Sequence, residues 1–282
     1  MPNGTGESTR PIAAVLADVD GTLLTRDKVL TPRAIHAVRE LHDLGVLFAV
    51  TSGRPPRGLT MLIAPLEMRA PLAAFNGGVV FLPDMTIIDE RAVPADLAPA
   101  VIETIRAHGL YAWIYRSTEW YVTDLHAPHA EREARTVQFQ PTLVPTYDGL
   151  LDGVVKIVGV SDDHDLVARC EAAVQREFSS RVSASRSQPY YLDVTHPTAN
   201  KGFVVERLSN RFQIPLEQIA TLGDQLNDVL MFEPSGMSIA MGNASDEVQR
   251  QATYVTASNE DDGFARAIEE FVLPRAAARP LS

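Results

Sequence analysis

Two aspartates, Asp18 and Asp20, stand at the end of the apolar run Ile12 to Ala17. In extended backbone a spacing of two turns both side chains to the same side, and Gly21 then lets the chain turn sharply. Further polar groups sit at comparable places: Ser52 in Ser52-Gly53-Arg54, Lys201 in Asn200-Lys201-Gly202, and Asp224, Asn227 and Asp228 in Gly223-Asp224-Gln225-Leu226-Asn227-Asp228. Three or four carboxylates gathered at one place repel one another unless a cation joins them. Oxygen ligands alone favour a hard ion, Mg2+ before Zn2+. A lysine at a helix N-terminus opposes the helix dipole; it makes sense if an anion lies among the amine, hydroxyl and backbone N–H groups. A hydroxyl, a lysine and a metal converging on one point can bind a phosphoryl group. One carboxylate can then attack phosphorus to form an aspartyl-phosphate. The second, two residues on, can protonate the leaving oxygen and later deprotonate water.

Each group also has a plainer role. Asp20-Gly21-Thr22 makes an Asx-type turn, Asp224 an N-cap, Ser52 a turn hydroxyl and Lys201 a solvated helix residue. Their joint occurrence, in order and at the ends of apolar segments, favours chemistry.

The elements that must position these groups follow from hydrophobic period. Ile12 to Ala17 and Val46 to Val50 are continuous apolar runs of buried-strand type. Between them Thr31-Pro32 opens a helix with its stripe on Ile35, Val38, Leu41 and Leu44, closed by Gly45. Strand, helix and strand in series predict parallel pairing. A helix is expected within Pro55 to Met68, a strand over Leu72 to Phe75, a turn at Asn76-Gly77-Gly78 and a hairpin around Pro83-Asp84. Near Val93 the rhythm changes to helix, paired strands around Ser117-Thr118, helix, the strand Val154 to Val160, a helix over Asp163 to Phe178, and a last strand pair. Strict alternation returns near residue 197, with Ile219 to Leu222 and Met237 to Ala240 as strands. The fold class is therefore α/β, a doubly wound, Rossmann-like parallel sheet core with an inserted α+β domain. The expected boundaries are a disordered tail over 1–10, core over 11–82, insertion over 83–196, core again over 197–274, and a tail over 275–282.

With 282 residues the chain can hold one large core or two modest domains. A net charge of −11 disfavours nucleic acid as a partner, but a few local cations and a metal can still reverse the field in a cleft. Cys170, the only cysteine, is a small buried apolar residue in a helical pattern. No run approaches membrane-spanning length, so a cytoplasmic location and no membrane partner are expected. Nothing in the sequence specifies an oligomeric state. The histidines show no metal-ligand spacing; His126 and His129 are expected at the surface. Trp113, Trp120, Tyr190 and Tyr191 read as sheet packing in the insertion.

The four motifs in this order resemble those of the haloacid dehalogenase superfamily of phosphatases, over essentially the whole chain. Asp18-Val19-Asp20-Gly21-Thr22, Ser52-Gly53-Arg54, Lys201 and Gly223-Asp224 with Asn227-Asp228 look like its first to fourth motifs. The insertion, together with Asn76-Gly77-Gly78, Tyr191-Leu192-Asp193-Val194 and Met241-Gly242-Asn243-Ala244, resembles the Cof-type branch with its type IIB cap. Ser52 stands where that branch usually has threonine, and Val19 where leucine is commoner. The resemblance implies Asp18 as nucleophile and Asp20 as general acid and base. It implies Mg2+ held by Asp18, the Asp20 carbonyl and Asp224, with Asp228 supporting the metal waters and Lys201. Ser52, Gly53, Lys201 and Asn227 would bind the phosphoryl group, and Arg54, Asn76 and Gly77 would meet the rest of a small phosphorylated metabolite. A phosphosugar mutase with the same nucleophile, or a catalytically silent binding protein, are the competing readings.

Overall fold

A computed structural model describes residues 11–276. The tails expected over 1–10 and beyond residue 276 lie outside the described residues. The chain divides into two compact units: one runs to Ser52, takes in Met61–Leu72 and resumes at Asn200; the other holds Gly53–Thr60 and Ala73–Ala199.

The first unit is built on five parallel strands in the order Tyr254–Val255, Met237–Ala240, Ile219–Gly223, Ala14–Asp18 and Leu47–Thr51. Ala14–Asp18 is buried along its whole length, as a strand flanked on both sides must be. The helix Pro32–Asp43 starts where Thr31 accepts from Ala34 N–H and Pro32 occupies the first turn. From Ala14–Asp18 the chain moves to Leu47–Thr51 on one side, and later places Ile219–Gly223 on the other. The strand order reverses there, and ligands of open α/β sheets bind outside the carboxyl ends of strands at such a reversal. Ile12 and Ala276 form a bridge, with Ile12 N–H donating to Arg275 O at 2.6 Å; the sequence placed residues 275 and 276 in a tail.

The second unit carries a sheet in the order Ser183–Gln188, Tyr191–Thr195, Val154–Val160, Tyr111–Arg116, Glu119–Val122 and Thr142–Leu143. It is antiparallel apart from the last pair. Strand alternation splits it into two faces. Ala112, Ile114, Ile157, Leu192 and Val194 form one hydrophobic cluster with the apolar stripes of the helices Ala98–Ala107 and His164–Phe178, including Cys170. The other face holds the rings of Trp113, Tyr115, Trp120 and Tyr191 in mutual contact, along with an ion pair at 2.6 Å between the part-buried Lys156 and the buried Asp193.

Residues 53–60 and 73–82 are grouped with this second unit. The Phe75 ring lies 5.2 Å from that of Tyr115. Arg57 pairs with Glu119 at 2.5 Å and lies over the Phe139 ring. No local pattern reports such contacts. The helix expected within Pro55 to Met68 is short: a 3-10 turn over Pro56–Leu59 and one helical turn over Thr60–Ile63. Pro65 stops it, by disfavouring helical backbone at Ala64 and lacking an N–H. The closing helix also changes character, running as α over Gly263–Ala267 and as a π turn over Ile268–Val272.

Candidate active site

Asp18 is the last residue of its strand and is 5% exposed. Thr51 pairs with it in register on the neighbouring strand, so Ser52, itself buried, sits one residue beyond that pairing. Lys201 opens the helix Lys201–Phe212, capped by Asn200 accepting from Phe203 N–H. Its ammonium lies 2.5 Å from Asp18 Oδ1 and 2.5 Å from Asp228 Oδ1, although Asp18 is 183 residues away in sequence. Asp228 lies in the first turn of the helix Leu226–Phe232. Its Oδ2 accepts the N–H groups of Asp224 and Gln225 at 2.8 and 2.9 Å. Both Asp228 oxygens are thus engaged, which makes it a brace for the loop and for Lys201.

Asp224 follows the strand Ile219–Gly223. Gln225 Nε2 donates to its Oδ2 at 2.8 Å, Asn243 Nδ2 to the same oxygen at 3.4 Å, and Thr22 Oγ1 to its Oδ1 at 3.4 Å. Carboxylate oxygens of Asp18, Asp224 and Asp228 lie within 4.8 Å of one another.

The electrostatics of this cluster are unbalanced. Burial pushes the Asp18 carboxyl well above the usual range; Lys201 opposes that shift, while Asp228 and Asp224 add to it. Burial likewise raises Asp224, to about 6. Burial alone would lower the Lys201 ammonium, but Asp18 and Asp228 outweigh it and hold it above its ordinary value. With every group ionised, three carboxylates against one ammonium leave a charge of 1 − 3 = −2. Asp18 Oδ2 is buried with no hydrogen-bond partner, a costly state for a carboxylate oxygen. A divalent cation bound by oxygen would satisfy both the charge and the orphaned atom.

Asp20 is part-exposed and accepts from Lys28 Nζ at 2.6 Å. Asn227 is exposed at the start of its helix. Gly53, Arg54, Asn76 and Gly77 belong to the second unit. There Arg54 donates to Gly58 O at 3.2 Å. Phe75 N–H donates to Arg54 O, and Asn76 adopts a left-handed φ of 56°. His129 is partly buried, stacked on Tyr190 and 2.8 Å from Asp162 Oδ1. Thr22, Gln225 and Asn243 hold Asp224 and Lys28 holds Asp20, yet sequence reasoning gave none of them a role. Asn243 stood in a segment already singled out; Lys28 carried no signal at all.

A reversal in a parallel sheet, topped by three buried carboxylates and one buried lysine, defines an enzyme centre of the α/β type. The profile of the haloacid dehalogenase-like hydrolases matches residues 15–268, and the chain belongs to that family. Among curated relatives, a 5-amino-6-(5-phospho-D-ribitylamino)uracil phosphatase of Bacillus subtilis is 28% identical over 275 residues, covering 93% of this chain and 98% of its own. Among solved structures, a haloacid dehalogenase-like hydrolase from Bacteroides thetaiotaomicron superposes with a TM-score of 0.84 at 26% identity, covering 92% and 98% of the two chains. A sugar phosphatase of subclass IIB of the superfamily shares the fold, with a TM-score of 0.78 at 22% identity over 92% of this chain and 98% of its own. The chain is thus a hydrolase of this family with an α/β core and an inserted domain. Among the described residues, no helix is long and apolar enough to cross a membrane.

Proposed function

We propose that this hydrolase is a Mg2+-dependent phosphatase of a small phosphorylated metabolite, working through an aspartyl-phosphate on Asp18. The observation that carries the reading is the buried group of Asp18, Lys201, Asp224 and Asp228, with three carboxylates against one ammonium and an orphaned Asp18 Oδ2. Asp18 and Asp224, with the Asp20 carbonyl, would hold the ion; when bound, it neutralises charge on the phosphoryl oxygens and orients the phosphoryl group.

The chain's own residues supply the rest. Lys201 and Ser52 hold the phosphoryl oxygens, with Gly53 and Asn227 lining the site, while Asp228 keeps Lys201 in place. Asp18 attacks phosphorus. As the bond to the leaving oxygen breaks, that oxygen takes a proton from Asp20 and departs as an alcohol. Water then attacks the same phosphorus and gives its proton to Asp20; the bond to Asp18 breaks, and phosphate leaves. In this reading the leaving group is a sugar or a cofactor precursor, for which Arg54, Asn76 and Gly77 are the candidate binding residues. The phosphatase names of relatives support this chemistry. A single cysteine, which leaves no intramolecular disulfide to form, is in keeping with a reducing cytoplasm.

The test is phosphate release from sugar phosphates, nucleotides, phosphorylated cofactors and 5-amino-6-(5-phospho-D-ribitylamino)uracil, with Mg2+ and with EDTA. Metal-dependent release from one compound well above the others is the expected result. A folded protein that releases none would overturn the reading, and a sugar-phosphate isomer shift by NMR would then point to a mutase.

A further inference from the structure

We infer that Lys28 is a positioning residue for Asp20: donating to Asp20 Oδ1, it orients the carboxyl group so that a proton carried on Oδ2 passes to the leaving oxygen. The inference rests on the phosphatase reading above and adds a residue to its machinery.

The first observation is the contact, Lys28 Nζ to Asp20 Oδ1 at 2.6 Å. The second is how the backbone brings Lys28 there. Lys28 has a left-handed φ of 63°, which costs free energy for any residue but glycine. The turn that imposes it is closed by Lys28 N–H to Thr25 O at 2.9 Å, Thr25 N–H to Val29 O at 3.1 Å, and Val29 N–H to Thr25 Oγ1 at 3.1 Å.

The third observation is that the loop is tied down before and within the turn. Asn243 Nδ2 donates to Gly21 O at 2.9 Å, while Asn243 Oδ1 accepts from Asn259 N–H at 3.0 Å. Asn259 Nδ2 donates in turn to Leu24 O at 2.9 Å. Arg26 N–H donates to Glu260 Oε1 at 2.6 Å. A strained residue held in a braced loop, with its ammonium on a carboxylate assigned to proton transfer, has the form of a pre-organised support.

The pair is part-exposed, at 43% and 31% for the two side chains. Ion pairs of that exposure contribute little to folding, so Lys28 can be changed without losing the fold.

Proton donation matters most when the leaving oxygen is strongly basic. An alkyl phosphomonoester needs it; p-nitrophenyl phosphate expels a weakly basic phenolate and needs it far less. The experiment measures kcat/KM for both substrates in wild type, Lys28→Met, Lys28→Arg, Asp20→Asn and the double variant Asp20→Asn/Lys28→Met. Lys28→Met should lose about tenfold on the alkyl ester, a part of the roughly 10²–10⁴-fold a general acid supplies, and at least about fivefold less on p-nitrophenyl phosphate. Lys28→Arg should recover most of that loss. The double variant should be no worse than Asp20→Asn alone, since both changes act through one group. Equal losses on the two substrates, no loss on either, or additive losses in the double variant would overturn the inference. Absence of wild-type activity on both esters would instead overturn the phosphatase reading itself.

Discussion

A side-chain carbon on Gly21 would lie 2.4 Å from Oδ2 of Asp224. The loop that carries Asp18 and Asp20 thus presses its backbone against the third carboxylate of the centre, and Gly21 also takes a φ of +89°. Gly21→Ala must therefore push Asp224 aside as well as strain the loop, at about 1–2 kcal/mol for the backbone alone. The expected outcome is a Mg2+ requirement for phosphate release raised by about tenfold or more, the equivalent of about 1.4 kcal/mol in ion affinity. A Mg2+ titration of activity, set beside a thermal melt, checks it. An unchanged half-saturating Mg2+ concentration would remove Asp224 from the metal set.

Asp18→Asn should leave less than about 1% of wild-type turnover, because an amide cannot replace the attacking carboxylate. The same change removes a carboxyl that burial makes costly to ionise. Thermal stability without metal should therefore hold or rise. Residual activity above that level would exclude nucleophilic catalysis by Asp18.

Asp224 links pH, metal and stability. Its folded-state pKa is raised to about 6 from an unfolded value of 3.8. The folded state therefore binds the proton more tightly than the unfolded one. Any stability this supplies is full below pH 3.8 and is lost as pH rises through about 6. A divalent cation favours the ionised form and should compensate at neutral pH. Addition of Mg2+ at a hundredfold excess over its Kd should raise Tm by about 5 °C at pH 7.5. The rise should shrink towards zero at pH 4.5, where protons compete for the carboxylates. A pH-independent shift would contradict the linkage.

Asp228 braces the centre through two backbone N–H groups and Lys201. Asp228→Ala should cost about 3–5 kcal/mol, the range for breaking one side of a buried ion pair. Asp228→Asn keeps a side-chain oxygen for the loop and should cost less. Urea unfolding of the three proteins, without metal, measures the difference; equal stabilities would refute the bracing role.

The legible part of the chain was its local part. Apolar runs marked the strands Val154–Val160 and Met237–Ala240 with the bounds the structure has. Thr31 and Pro32 marked a helix start, and turn residues marked the hairpin around Pro83-Asp84. These signals are readable because hydrophobic period and capping act over a few residues. The chemical types at the centre were legible too, since Asp18, Lys201, Asp224 and Asp228 each stand at an element end.

Their convergence was decided elsewhere. Lys201, at the start of its helix, reaches Asp18 only through the tertiary fold, and the excess of carboxylates over ammonium appears only when these element ends meet in a buried space. The contact of Phe75 with Tyr115 and the Lys28–Asp20 pair have no sequence signature either. Their partners are chosen by packing and by a strained turn, not by any spacing along the chain. Sequence alone determined which groups this protein has and which elements carry them. Tertiary structure decided which of those groups share one low-dielectric site, where burial and proximity turn ordinary side chains into a reactive set.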